Sequence, residues 1–238
     1  MKKETRLYSG KTKDIFTTDD PLILVMEFKN TLLNPDATKE AKFDKKGLYN
    51  NQISTKIFKL LDKNGVPNHF VKTLDERSMA VKRLKMIPIK VVIRRKAAGA
   101  MSESLGLKEG AKLNCPVLDL YLKNDKLNTP RLTEDYIKAL DITSESIMAE
   151  IKELSWKTLD LLANFFESIG IDLIDCKLEF GTDENGNVIL GDEISPDNCR
   201  LWQLKTGEIL DKDRLQKDLG KIEESYHEVW DRVMQAKS

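Results

Sequence analysis

The sequence predicts an α+β protein. Runs that alternate apolar and polar residues mark strands, and runs with apolar residues every three or four positions mark helices. The two kinds mix without regular βαβ alternation. The 238 residues suffice for one large domain or two small ones with real cores.

The N-terminal part reads as β-rich. Leu7-Tyr8 leads through Gly10 into Asp14-Ile15-Phe16, residues 17–21 form a turn, and residues 22–26 read as a buried strand. Residues 30–46 read as irregular and polar. A helix is predicted over roughly 50–63, with Ile53, Ile57, Leu60 and Leu61 at helical spacing and Asn64-Gly65 as its stop. Strands follow near 69–73 and 78–84. Lys85-Met86-Ile87-Pro88 reads as a crossing between lobes, because proline disfavours continued pairing in a central strand. The expected division is therefore 1–85 and 86–238.

The second lobe opens with a strand at 89–94 and a small-residue turn at 97–100. A strand near 118–122 and a short helix near 133–140 come next. A long helix runs from a Thr143 or Ser144 cap to Ile169 and is ended by Gly170. A hairpin follows. A last helix starts near Asp211, with Leu215, Leu219, Ile222, Tyr226, Val229 and Val233 on one face.

Composition bounds the function. Lys plus Arg and Asp plus Glu are 39 each, so no global field favours nucleic acid or an anionic membrane. No apolar run approaches a membrane span, and the first residues lead into no signal-peptide core. Cys115, Cys176 and Cys199 show no Cys-x-x-Cys spacing, which argues for reduced thiols in a cytoplasm. His69 and His227 lie far apart, against histidine-based zinc chemistry. Any metal should be a hard cation on carboxylates, magnesium before others.

The hairpin at 171–193 carries the most chemistry. Ile174, Cys176, Leu178 and Phe180 fall on one face, and Asp175, Lys177 and Glu179 on the other. With Asn185-Gly186 as the corners, Glu179 faces Asp192. Facing carboxylates repel unless a cation sits between them, so a metal-assisted phosphate site is expected, with Lys177 on the same face.

Three further segments each have two readings. Gly10, Lys11 and Lys13 join a glycine bend to lysines whose ammonium groups leave one face of an extended chain. They form a solvated hairpin, the reading this segment favours by itself, or suit a polyphosphate. Arg94 and Lys96 share a strand face before Ala97-Ala98-Gly99-Ala100, with Arg95 on the other; this is an anion site or a strand end with exposed arginines. Ser195-Pro196-Asp197 and Arg200 sit on a loop after the hairpin, as ligand contacts or as a surface Asp–Arg pair. Asp211 and Asp213 read as a helix cap and first-turn acid, His227 as structural, and Lys123-Asn124-Asp125 as a turn or a ligand contact.

Taken together, these segments resemble the SAICAR synthetase family of purine biosynthesis over nearly the whole chain. The resemblance is carried by 8–13, 43–51, 94–99, Asp175-Cys176-Lys177-Leu178-Glu179-Phe180-Gly181, Gly191-Asp192-Glu193-Ile194-Ser195-Pro196-Asp197 and Arg200-Leu201-Trp202. It implies a two-lobed fold with ATP in the cleft, and a homodimer. It implies a ligase joining L-aspartate to carboxyaminoimidazole ribonucleotide with release of ADP and phosphate. The resemblance also implies that the imidazole carboxylate is activated by phosphorylation before the aspartate amine attacks. By motif, Gly10, Lys11 and Lys13 would hold the ATP phosphates. Val81, Lys82, Leu84 and Met86 would line the adenine pocket. Glu179 and Asp192 would hold magnesium. Arg94 and Arg200, with Gly99 and Ala100, would receive the ribonucleotide phosphate. Asp175, Lys177, Ser195 and Asp197 would line the reacting groups. The chain departs from the family at Ala100, where serine is usual, at Thr129, where aspartate is frequent, and over 31–42. Two other functions suit the same residues: a small-molecule kinase and a nucleotide-binding regulatory module without turnover.

Overall fold

The computed structural model describes residues 2–34 and 38–236. The first sheet is antiparallel and comes from the N-terminal third. Strands β1 (Lys3–Ser9), β2 (Lys13–Thr18) and β3 (Ile23–Phe28) form a meander. A small hairpin, β4 (Thr31–Leu33) with β5 (Glu40–Lys42), stands apart, in a stretch expected to be irregular. Residues 35–37 of the unassigned loop lie outside the described residues. Helix α1 (Lys46–Lys63) follows, then β6 (Phe70–Thr73) and β7 (Ser78–Lys82). The sheet order is β1-β2-β3-β7-β6. Ile53, Ile57, Phe58 and Leu61 bury one face of α1 against this sheet. Gly65, at φ +72°, ends the helix as expected. The helix begins earlier than its apolar spacing indicates, because its first turn buries Lys46, Tyr49, Asn50 and Asn51.

The second sheet opens with β8 (Lys85–Lys96), followed by α2 (Ala100–Leu105), β9 (Lys112–Leu122), β10 (Arg131–Leu132), α3 (Glu134–Ala139) and α4 (Glu145–Ser168). Then come β11 (Ile171–Thr182), β12 (Val188–Leu190), β13 (Cys199–Gln203), α5 (Asp213–Gln216) and α6 (Ile222–Gln235). The order is β10-β9-β8-β11-β12, with β13 also on β11. Pro88 does not end the strand. β8 runs through it, and the β8–β11 register shifts between the Glu179–Lys90 and Gly181–Met86 pairs, an irregularity that accommodates the missing N–H. Ser144 caps α4, its hydroxyl accepting from the Ile147 amide at 3.3 Å, and Gly170 at φ +74° closes it. The predicted C-terminal helix is two helices. Gly220 and Lys221 take left-handed backbone between α5 and α6, so Leu219 is exposed while Leu215 is buried.

The hairpin register differs by one position from the expected one. Phe180 pairs with Leu190 and Thr182 with Val188, so the loop spans 183–187. The Asp183 carboxylate accepts from the Asn185 and Asn187 amides, both at 2.9 Å, which stabilises this longer turn. Glu179 therefore faces Gly191, whose amide donates to the Glu179 carbonyl at 2.8 Å.

One hydrophobic cluster runs through both sheets, from Met26 and Phe28 to Phe166, Leu178 and Val229. His69 N donates to Leu190 O, and Leu190 N to Pro67 O, which ties the sheets together. α6 packs on α1, with Trp230 Nε1 donating to Gln52 Oε1 at 2.7 Å. Among the described residues no helix is long and apolar enough to cross a membrane.

Candidate active site

β11 is the spine of the site. Cys176, Leu178 and Phe180 point into the core. The intervening side chains Asp175, Lys177 and Glu179 join a chain of charges fed by β2, β8, β9, α1 and the segment after β12.

At the Glu179 end, Lys177 Nζ lies 3.0 Å from Glu179 Oε1 and 2.7 Å from Asp192 Oδ2. Asp192 reaches Lys177 despite the shifted register because its backbone is left-handed, at φ +61°, just past β12. Lys13 crosses from β2 to pair with Asp192 and lies 2.8 Å from Glu193 Oε1. Lys123 pairs with Glu179. The cation between the two carboxylates is thus a lysine ammonium. Burial pushes the Asp192 carboxyl up, but Lys13 and Lys177 outweigh it and hold it well below the usual carboxylate range. Burial would lower the Lys13 and Lys177 ammonium groups; their acidic partners raise both above the usual lysine value.

The second group lies beneath. Asp197 accepts from Lys46 Nζ at 2.5 Å, Asn50 Nδ2 at 2.8 Å and the Tyr226 hydroxyl at 2.6 Å. Ser195 Oγ donates to Glu193 Oε2 at 2.7 Å and accepts from the Asp197 amide at 3.1 Å. Lys46 is fully buried. Burial raises the Asp197 carboxyl, and Lys46 more than offsets this to leave it lowered.

At the Asp175 end, Arg94 Nη1 and Arg200 Nη1 share Asp175 Oδ2, at 2.5 and 2.8 Å. Arg94 Nε donates to Asp119 at 2.8 Å, and Arg200 Nε to Asp213 at 2.6 Å. Arg200 packs on the backbone of Gly99: a Cβ there would sit 2.4 Å from its Nη2. Arg200 is a strand residue of β13, not a loop residue, and its partner is Asp175 while that of Asp197 is Lys46. Arg95 and Lys96 do not separate by face either. The register shift after Arg94 lets both reach Asp172.

Lys11 sits exposed in the bend between β1 and β2, so it does not share a strand face with Lys13. The Gly10 amide donates to Lys13 O at 2.9 Å, which closes that bend. Leu84 and Met86 lie beside Gly191, and Met86 is 40% exposed. Val81 is a core residue, and Lys82 is exposed with its amide donating to His69 O at 2.7 Å.

Carboxylates and lysines arranged in this way suit magnesium and phosphates. The ion takes one or two carboxylates and completes its shell with phosphate oxygens and water. Glu179 and Asp192 fit, each nearly buried and converging on Lys177. Among the described residues no three His, Cys, Asp or Glu side chains gather into a metal cage, so the remaining ligands would come from the substrate.

Comparison with known proteins identifies the family. The SAICAR synthetase family model matches residues 6–233. The chain belongs to the SAICAR synthetase family. It is 45% identical to the phosphoribosylaminoimidazole-succinocarboxamide synthase of Desulfitobacterium hafniense (strain Y51), covering 98% of each chain. The crystal structure of such a synthase from Ehrlichia chaffeensis superposes with a TM-score of 0.94 at 38% identity, over 98% of this chain and 100% of that one. A SAICAR synthetase in complex with ADP gives a TM-score of 0.92 at 40% identity, over 97% of this chain and 98% of that one. The α+β fold is therefore the family fold.

Several site residues were not singled out from sequence. Lys46 lay inside a quoted family segment, and Glu193 beside Asp192, but nothing local announced their partners. Asp119 gave no signal beyond an apolar strand interrupted by an acid. Lys90 and Lys212 form no ion pair among the described residues. Burial and the neighbouring Lys177 depress both, Lys90 to about 8. His227 stacks with Trp230 at 5.4 Å between ring centroids, a structural place as expected.

Proposed function

We propose that the chain is an ATP-dependent ligase of purine biosynthesis that joins L-aspartate to carboxyaminoimidazole ribonucleotide, releasing ADP and phosphate. The observation that carries this is the charge chain along β11 within a full-length match to the family. In this reading residues 1–85 form the nucleotide-binding lobe and residues 86–238 the substrate- and metal-binding lobe. Leu84 and Met86, beside Gly191, floor the adenine subsite, with Val81 and Lys82 behind them. Gly10, Lys11 and Lys13 cover the phosphates, while Glu179 and Asp192 hold magnesium, which when bound supplies positive charge at the phosphates. Lys13 holds Asp192 and Glu193, and Lys177 holds Glu179 and Asp192, and both lysines can turn to phosphate oxygens once Glu179 and Asp192 hold the metal.

Amide formation needs an activated carboxylate, since a carboxylate is a poor acyl donor. Lys177 stands between the phosphate end and Asp175, where it stabilises negative charge developing on the transferred phosphoryl group. Arg94 and Arg200, fixed by Asp175, orient the ribonucleotide together with Gly99 and Ala100. Ser195 and Asp197 hold the floor through Lys46 and Glu193. A magnesium ion, a homodimer and a cytoplasmic setting belong to the same reading; the three free cysteines agree with the last.

The test is ADP release with carboxyaminoimidazole ribonucleotide in the presence and absence of L-aspartate. Sustained ADP release that requires aspartate supports the ligase. Full ADP release without aspartate favours a kinase, and none under either condition a passive module.

A further inference from the structure

Ala100 borders a cavity of about 220 Å³, lined also by Met101, Asp119, Tyr121, Arg131 and Ser104, whose hydroxyl donates to the Met101 carbonyl at 3.4 Å. A phosphate there needs donors, and alanine supplies none. The two arginines expected to orient the ribonucleotide have most of their donors engaged by protein groups. Arg94 is 3% exposed and spends its nitrogens on Asp119, Asp175 and the Ala98 carbonyl. Arg200 is held by Asp175 and Asp213, with Nη2 against Gly99. Arg131 differs: its side chain is 59% exposed, and Asp119 anchors it through Nη2. An arginine fork offers five N–H donors in a fixed plane, so one anchoring bond orients it and leaves donors for an anion.

Charge points the same way. Arg94, Arg131 and Arg200 balance Asp119, Asp175 and Asp213. Without Arg131 the group carries excess negative charge, which repels an anionic ligand.

We propose that Arg131 binds the phosphate of the ribonucleotide substrate in the cavity beside Ala100, giving the contact that a serine hydroxyl at position 100 would give. This rests on the ligase reading above. The anion could also be a carboxylate of L-aspartate, and the arms of the experiment separate the two.

The experiment compares wild type, Arg131→Met, and Arg131→Met combined with Ala100→Ser. Steady-state kinetics give KM for each substrate, and calorimetry gives the affinity for ribose 5-phosphate. Arg131→Met is expected to raise the ribonucleotide KM and weaken ribose 5-phosphate binding by about tenfold or more, the scale of a lost charge-assisted hydrogen bond. The kcat and the KM values for ATP and aspartate should stay within about twofold. Adding Ala100→Ser should recover part of the loss. Unchanged ribose 5-phosphate affinity, no ribose 5-phosphate binding by wild type, or a rise confined to the aspartate KM overturns the proposal. If Arg131→Met does not fold, Arg131→Lys keeps the charge on Asp119 and loses the fork; equal ribose 5-phosphate affinity in that variant also overturns it. Absence of ligase turnover in wild type would defeat the functional reading, while the calorimetric arm still decides the anion site.

Discussion

Asp192→Asn tests the electrostatics of the phosphate end. From sequence, two facing carboxylates should repel, and removing one charge should stabilise the metal-free protein. The structure reverses that sign, because Asp192 is embraced by Lys13 and Lys177. Asparagine keeps the shape and tolerates the left-handed backbone at φ +61°, so the substitution removes charge without adding strain. Breaking a buried pair outright costs about 3–5 kcal/mol. Here Lys13 keeps Glu193 at 2.8 Å and Lys177 keeps Glu179 at 3.0 Å, and Lys177 is 31% exposed, so solvent screens part of the loss. The expected cost is about 1–3 kcal/mol, or roughly 2–12 °C in Tm for a protein of this size. The folded-state pKa of Asp192 is depressed below its unfolded value, so its contribution is present above the unfolded pKa and lost as pH falls toward the folded one. The gap between wild type and variant should be constant above about pH 5 and narrow below about pH 4. Urea titrations across pH 3–8, without nucleotide or metal, measure it. A variant more stable than wild type under these conditions would refute the lysine-bridged arrangement.

Three other substitutions probe separate parts of the site. Gly99→Ala places a Cβ 2.4 Å from Arg200 Nη2 at a backbone φ of +54°, so it should cost about 1–3 kcal/mol and raise the ribonucleotide KM, read by thermal melts and kinetics. Lys46→Met leaves the buried Asp197 carboxylate without its ammonium; about 3–5 kcal/mol of stability should be lost in denaturant titrations, and a loss below about 1 kcal/mol would contradict a true buried pair. Burial and the nearby Asp213 push the Asp211 carboxyl up to about 8. A raised carboxyl pKa means the folded state holds the proton more tightly, so wild-type stability should decline as pH rises from about 4 to about 8, and Asp211→Asn should flatten that decline in Tm.

The strands and helices with strong periodicity were legible in the sequence. The alternation of 175–180 gives the core and site faces of β11, and Ser144 with Gly170 bounds α4; Ile174 is expected on the core face, but a register shift between Leu173 and Asp175 puts Leu173 in the core cluster instead. What was not legible depends on groups that local pattern does not rank. Asn185-Gly186 has the strongest short-turn signal, yet the Asp183 carboxylate closes a longer loop and shifts the register. The first turn of α1 buries Lys46 and Asn50 because Asp197 waits far along the chain, a pairing no helical periodicity encodes. Pro88 argued for a break, but a sheet irregularity lets β8 run past it. The motif residues Lys13, Asp175, Lys177, Glu179, Asp192 and Arg200 do come together, and Lys123, read as a turn or a ligand contact, joins them on Glu179, while Asp119 and Glu193 emerge only once the sheets are assembled.

The most direct measurement is mass spectrometry of the product formed from ATP, carboxyaminoimidazole ribonucleotide and ¹⁵N-labelled L-aspartate. A ligase yields an amide that carries the aspartate nitrogen and carbon skeleton, with one ADP and one phosphate for each product. A phosphomonoester of the ribonucleotide without ¹⁵N, formed at a rate indifferent to aspartate, would contradict it.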